Sequence, residues 1–592
     1  MVEPSFTDKT DFENASKGFI ATLDAPLIHS NNRPIWNTNA YDFLNAECPS
    51  TANPKLWRLA QVTSIHGLFK VTDGVYQVRG LDLANMTIVE GKEGIIVIDP
   101  LTSAECASSA LELYRKHCGN RPVKAVMYSH SHIDHFGGAK GVLELTEDIP
   151  IVAPEGFTEE ATSENIYVGN AMQRRAMYMY GTRLPKSSEG PLGCAIGMGV
   201  SMGSSSLVPP NTHITATGQE MVVDDVKFVF QMVPDSEAPA EMNFYLPERK
   251  ALYIAECATH GLHNIITLRG AQVRDAKAWA KYLDESLVLF GEEAEVLFAG
   301  HQWPTWGREE ISTFISQQRD LYAYLHDQTV RMMNTGMTGI EIADILTLPP
   351  ALQKAWHTQG FYGSVSHNVK GVYQRYMGWF DGNPAHLWEY PPVESARRYV
   401  DCMGGIEEVV TKAEKYAEGG DLRFAATLLG HAVALDANHE RAKMRLASVF
   451  ERLGYGAENA TWRNFYLSGA QDLRLGPFVP PPGQIKLANR LNPQQSVDQW
   501  FSILSVRMNG PKAAEESFAI DIHVLDEEKW WRLIVSNGVL THRSASDRKD
   551  LVGKAELSLE MSKKELGGIL NGDIDSDREG WELLLKLLSF VS

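Results

Sequence analysis

A chain of 592 residues, at the usual ~150 per domain, calls for about three or four domains. Its 44% apolar and 22% charged residues match ordinary globular usage and exclude collagen-like, disordered and coiled-coil organisation. A net charge of −19 repels polyanions, so no nucleic acid partner is expected. There is no apolar run of about 18 residues, and the opening residues lack the basic and apolar regions of a secretory signal. The expectation is a cytoplasmic protein without stable membrane insertion, secreted or periplasmic only if a leader has been removed. Six scattered cysteines with no Cys-x-x-Cys pair read mostly as small buried hydrophobes, not as a disulfide framework.

Taken in chain order, strand-like patterns run from Val62 to Pro100 and end in Gly94-Ile-Ile-Val-Ile-Asp-Pro100. An amphipathic helix is predicted over Ala104 to Lys116 and a buried strand over Val123 to Tyr128, a strand, helix, strand unit. The segment Ser187 to Asn211, rich in Gly, Ser and Pro, reads as a lid or a mobile loop. Strands are predicted at 221–232, 243–246, 251–255 and 296–299, with helices around 274–287 and 313–326. Past Pro391 and Pro392 the composition turns to Ala, Leu, Glu and Arg, and a helical pair is predicted at 422–435 and 440–453. Gly476-Pro-Phe-Val-Pro-Pro-Pro-Gly483 reads as a stiff spacer. Beyond it a helix from Ser496, strands at 518–525, 531–535 and 539–543 around the Asn537-Gly538 turn, and C-terminal helices make a small α+β unit. The resulting division is residues 1–393, 394–476 and 484–592.

The chemistry concentrates in His130-Ser-His-Ile-Asp-His135. Three imidazoles and a carboxylate just after an apolar strand cannot all be buried without a shared positive charge. Imidazole and carboxylate together suit Zn²⁺, with Fe or Mn as alternatives, and the two directions in which the motif points imply two adjacent metals.

This His-x-His-x-Asp-His pattern resembles the metallo-β-lactamase superfamily, whose members complete the site at the ends of later strands. Glu237, Glu256 and His301 stand in such places. The segments 237–244, 256–260, 268–276 and 303–307 are similar to motifs of the alkyl sulfatase branch. The resemblance implies an α/β fold: a metallo-β-lactamase αββα sandwich, an all-α helical domain that dimerises the chain, and a C-terminal α+β sterol carrier-like domain. It implies a zinc ion on His130, His132 and Glu237, a second on Asp134, His135 and His301, and Glu256 between them. Glu241 competes with Glu237.

The same resemblance places Arg269 and Gln272 on the substrate's sulfate and His367 and Asn368 near the substrate, and it gives Tyr373, beside the catalytic Asp134, the donation of a hydrogen bond or proton to the sulfate or the leaving oxygen. Water shared by two zinc ions ionises near neutrality, so no serine nucleophile is needed. The function implied is hydrolysis of medium- or long-chain alkyl sulfates of the dodecyl sulfate type by a homodimer, with attack at sulfur or at carbon left open. Other readings are a dimetal hydrolase of another ester or lactam, and a lipid-binding protein with a structural zinc.

Overall fold

All four side chains of the strand Ile95–Ile98 are buried, as a continuous apolar run requires when both faces of its sheet are covered. In the computed structural model, which describes residues 3–143, 149–163, 167–479, 495–573 and 580–591, Ile95 and Val97 pack beneath the helix Ala104–Cys118. Ile96 and Ile98 point the other way, into a core shared with a second sheet. The first sheet has eight strands. It is antiparallel from Phe19–Ala21 through Gly67–Thr72, Val75–Arg79 and Met86–Glu90 to Ile95–Ile98. From there it is parallel through Val123–Met127 and Ile151–Pro154 to Thr212–Ile214.

The second sheet has six strands. The single strand expected over 221–232 is two, Glu220–Val223 and Val226–Met232, because Asp224 and Asp225 both take positive φ (47° and 65°) and close a tight hairpin. Met242–Leu246 and Ala251–Tyr253 follow antiparallel, and Val296–Phe298 lies parallel to Ala251–Tyr253. Phe228, Phe230, Phe244 and Tyr253 fill the space between the sheets, each such burial being worth about 1.5–3 kcal/mol. Helices Ala276–Phe290 and Arg308–Met333 cover the outer face, so the layers read αββα.

Parallel neighbours carry their C-terminal ends to one edge, and loops at such an edge are where α/β sheets place ligands. Here the strands ending at Ile98, Met127, Tyr253 and Phe298 all do so. Ser129 and Met242 join the two sheets there, the Met242 amide donating to the Ser129 carbonyl (2.9 Å), with a bridge between His130 and Glu241 beside it.

Residues 190–199 of the expected lid or loop are almost entirely buried, with Leu192, Cys194, Ile196 and Met198 in a core with Tyr41, Trp57 and Trp303. The segment is therefore packed wall, irregular because Gly and Pro give it no period. Helices Pro392–Cys402, Ile406–Glu418, Leu422–Leu435, Glu440–Gly456 and Ala460–Leu475 follow. Buried Arg463 on the last of them donates to the carbonyls of Thr51, Ser188 and Gly190 (2.7–2.8 Å). Residues 1–161 and 171–478 make one compact unit. Cys106, Cys194 and Cys257 are buried, whereas Cys48 and Cys402 are exposed.

A second unit comprises 162–170 and 479–592. Its four-stranded sheet runs Val539–Ala545, Lys529–Ser536, Ser517–Val524, Leu557–Met561. The last of these, parallel to Ser517–Val524, stands where only helices were expected. Its alternating Leu557, Leu559 and Met561 bury against the helix face, but polar neighbours obscure the pattern. Trp531 is in the core while Trp530 stacks on His523 on the opposite face (4.4 Å), as strand alternation demands. The second half of the proline-rich spacer, 480–483, lies outside the described residues.

Candidate metal centre

The strand ending at Met127 hands the chain to Ser129 and His130, and a 3₁₀ turn, Ile133–His135, then swings Asp134 and His135 to a second position. His130, His132 and His135 are buried. From the second sheet, Glu237 sits in the loop before Met242–Leu246, Glu256 follows Ala251–Tyr253, and His301 follows Val296–Phe298; all three are buried. Ala255 and Gln302, which flank Glu256 and His301, are held at φ 45° and 60°. For residues with a side chain this left-handed backbone costs about 1–2 kcal/mol each, a strain characteristic of functional sites.

Two groups result, His130, His132, Glu237 and Glu256 in one and Asp134, His135 and His301 in the other, the atoms of each within 4.8 Å of one another. His132 Nδ1 is 2.7 Å from Glu237 Oε2, and His130 Nε2 is 3.4 Å from the same oxygen. Glu256 Oε2 lies 3.5, 3.6 and 3.2 Å from His130, His135 and His301 Nε2, and so stands between the groups.

The outer partners fix which atoms face inward. His135 Nδ1 donates to Asp99 (2.9 Å) and His301 Nδ1 to the Leu83 carbonyl (3.1 Å). In the neutral rings their Nε2 atoms therefore present lone pairs to each other at 3.2 Å, a contact that requires a proton or a metal cation between them. Ser129 Oγ donates to Asp99 (2.6 Å) and so accepts from His130 Nδ1 (2.9 Å), which leaves His130 Nε2, like Glu237 Oε2, buried without a hydrogen bond. Converging acceptors with no proton between them repel unless a cation compensates them. The donor set, four imidazoles and three carboxylates, fits divalent zinc-like ions.

Further residues, not singled out in the sequence, hold these side chains. Arg274 donates to Glu237 Oε1, and burial notwithstanding, its charge holds that carboxyl down to about 2. His263 lies on Glu256 Oε1 (2.9 Å). Each glutamate thus turns one oxygen inward and anchors the other. Tyr253 and Ser129 fix Asp99 behind His135. The rival Glu241 points away from both groups. It accepts from Ser236 Oγ and the amides of Glu237, Ala238 and Glu256 (2.9–3.2 Å), which ties both glutamate loops together. Burial and the nearby charge of Glu237 push its pKa up to about 8. The signals available in the sequence were Asp99 closing its apolar run, and His263 and Arg274 inside or beside the recognised motifs.

Of the substrate residues, half-buried Arg269 keeps a place near the groups: its charge acts on Tyr180 and Tyr362, which also feel Asp134 and Glu256. Those phenols lie 3.4 Å apart and Tyr362 packs edge-on against His263 (4.9 Å). Burial pushes Tyr180 up to about 12 and Tyr362 well above the ordinary phenol range, so both stay neutral donors.

The other candidates are not brought into the two groups. Gln272 is exposed. Asn368 is spent clipping the backbone, accepting from Ile265 N and donating to His263 O (2.8 and 2.9 Å). His367 accepts from Trp462 Nε1 (2.9 Å) and is held neutral by burial, its pKa pushed down to about 3. The Tyr373 ring lies against Gly339, in the helical core. These three sit on the helix Val365–Met377, which braces the loop bearing His263.

Family models match the chain in three stretches: the metallo-beta-lactamase superfamily at 79–301, alkyl sulfatase dimerisation at 338–476, and alkyl sulfatase C-terminal at 490–582. A linear primary-alkylsulfatase of a Pseudomonas species is 44% identical over 96% of this chain and 85% of its own. The chain belongs to the alkyl sulfatase family. The alkyl/aryl-sulfatase BDS1 of Saccharomyces cerevisiae is 42% identical over 91% of this chain and 84% of its own. The solved structure of the stereoselective inverting sec-alkylsulfatase Pisa1 from Pseudomonas sp. superposes with a TM-score of 0.94 at 38% identity, covering 100% of this alkyl sulfatase and 94% of Pisa1. Its membership in the metallo-β-lactamase superfamily implies use of a divalent metal. Among the described residues no helix is long and apolar enough to cross a membrane.

Proposed function

We propose that this protein hydrolyses alkyl sulfate esters to an alcohol and inorganic sulfate with two zinc ions per chain, one on His130, His132 and Glu237, one on Asp134, His135 and His301, and Glu256 between them. The observation that carries the metal assignment is the convergence of these seven side chains into two groups, the ligand atoms of each within 4.8 Å of one another. Likeness to alkylsulfatases over nearly the full chain supports the substrate class. When bound, such a pair supplies positive charge for an anionic ester and lowers the pKa of water at the site.

The chain's own residues do the rest. Arg274 and His263 hold Glu237 and Glu256 ionised and oriented, and Asp99 keeps the His135 proton on Nδ1. Arg269 offers a fixed positive charge for the sulfate. Tyr180 and Tyr362, neutral phenols beside it, are placed to donate to a sulfate oxygen or to the leaving oxygen. A second copy is proposed to cover the exposed Trp379, Leu387, Trp388 and Tyr390 (60–96% accessible), which fall inside the stretch matching the dimerisation family; aromatic surface of this kind is characteristic of protein interfaces.

The test is elemental analysis together with sulfate release from dodecyl sulfate in ¹⁸O-water. Two zinc per chain and stoichiometric release are expected. Label in the alcohol means attack at carbon and label in sulfate attack at sulfur. Metal-loaded protein that releases no sulfate from any alkyl sulfate would refute the reading.

A further inference from the structure

Around the Leu83 anchor of His301, on the Nδ1 side of the ring, lies a small cavity. Its wall includes Leu83, whose carbonyl anchors His301, and the two residues that follow His301, Gln302 and Trp303. It also includes Arg79, which is 4% exposed. The Arg79 guanidinium lies 3.5 Å from the centre of the Phe69 ring, and its Nη2 donates to the Ala15 carbonyl (3.0 Å). Its Nε has no hydrogen-bond partner, and neither does the indole Nε1 of Trp303, 3% exposed in the same wall.

The remaining polar side chains of the wall are satisfied. Asn85 donates to the Gln302 carbonyl (2.8 Å), and Gln302 donates to Ala195 O (3.1 Å) while accepting from His260 N. Thr63 donates to Leu59 O (2.9 Å). Asp82 accepts five hydrogen bonds, from Leu83, Thr102 and Ser201 (2.7–3.1 Å), so its charge is already shared out and does not reach Arg79 as an ion pair. Burial alone pushes the Arg79 pKa down to about 9, with no carboxylate opposing it.

What the wall leaves unmet is therefore donors only, one of them cationic. A buried cation without a counter-charge is costly. One water could accept from both donors but would leave the guanidinium's charge uncompensated, whereas an anion supplies acceptors and counter-charge together. We propose that this cavity is a second ligand site, holding one small inorganic anion, chloride or sulfate, between the Arg79 guanidinium and the Trp303 indole N–H. The site is separate from the metal groups but joined to them through His301 and its Leu83 anchor.

The test uses the full-length, metal-loaded protein, titrated with chloride and separately with sulfate at constant ionic strength against sodium gluconate, with thermal unfolding as the readout. A saturable rise in Tm is expected, as for any ligand that binds only the folded state, and the anion that produces it names the occupant. Crystals soaked in bromide should show an anomalous peak within reach of Arg79 and Trp303. Trp303→Phe keeps a ring to stack on His260 (4.5 Å) and removes only the N–H; the titration midpoint should rise about ten-fold, one charged hydrogen bond's worth. Arg79→Met should abolish the response. Two results overturn the proposal: no saturable shift with only water in the cavity, or a shift that survives in both variants, which assigns the anion to the metal groups. The readout is binding, so its failure leaves the sulfatase reading untouched.

Discussion

The two sides of His301 are chemical opposites. On one, seven side chains turn lone pairs inward and leave buried acceptors unmet, at His130 Nε2 and Glu237 Oε2. On the other, the Arg79 cavity leaves buried donors unmet. In a folded protein most buried polar groups are paired, so each surplus identifies by its sign what the region is built to hold: cations on one side, an anion on the other. The contrast also shows why net charge is a poor guide to ligands, since a chain of −19 carries, in Arg79, a buried arginine that no carboxylate pairs and a site suited to an anionic ester.

The largest effect that would break this contrast is metal removal. Exhaustive chelation should take sulfate release to background and, because seven acceptors are then uncompensated, cost the first unit at least about 4 kcal/mol, the worth of a ligand held at a thousand times its Kd; calorimetry of the apo and reconstituted protein checks both. Arg274→Gln frees Glu237 Oε1 and should weaken metal retention about 10–100-fold, read by competition with a chromogenic chelator. Asp99→Asn, which disturbs the proton on His135 Nδ1, belongs in the same range and by the same assay. Tyr362→Phe should lower kcat about ten-fold while zinc content stays full, one hydrogen bond to a charged group being lost. The smallest effect sharpens the comparison from outside: Tyr373→Phe, on the far side of the helix Val365–Met377, should leave turnover within about two-fold, and a large loss there would return that residue to the reaction.

The fold was legible where local pattern and burial coincide. Ile95–Ile98 reads as a doubly covered strand because every residue is apolar, and Ala104–Cys118 because its apolar stripe has a helical period. The hairpin at Asp224 and Asp225 was hidden by apolar residues on both sides, and the strand Leu557–Met561 by its polar alternation. In the site, the spacing of His130, His132, Asp134 and His135 announces a metal without tertiary information, since one short loop supplies all four. Glu237 and Glu241 are chemically equal in the sequence. Only the loop's curvature, which spends Glu241 on three backbone amides, sends Glu237 inward. The helix carrying His367, Asn368 and Tyr373 illustrates the reverse: side chains of suggestive chemistry absorbed into bracing a loop.

By itself the sequence determined a metal-binding loop after a buried strand, three regions of different composition, and the apolar patterns from which two sheets and their covering helices follow, because periodicity and ligand spacing are local properties of the chain. Tertiary structure decided which carboxylates face inward, that Arg274, His263 and Asp99 anchor them, and that Arg79 and Trp303 share a cavity. Those outcomes depend on the pairing of residues scores of positions apart, where the direction of a lone pair or an N–H is fixed by a partner that no local pattern names.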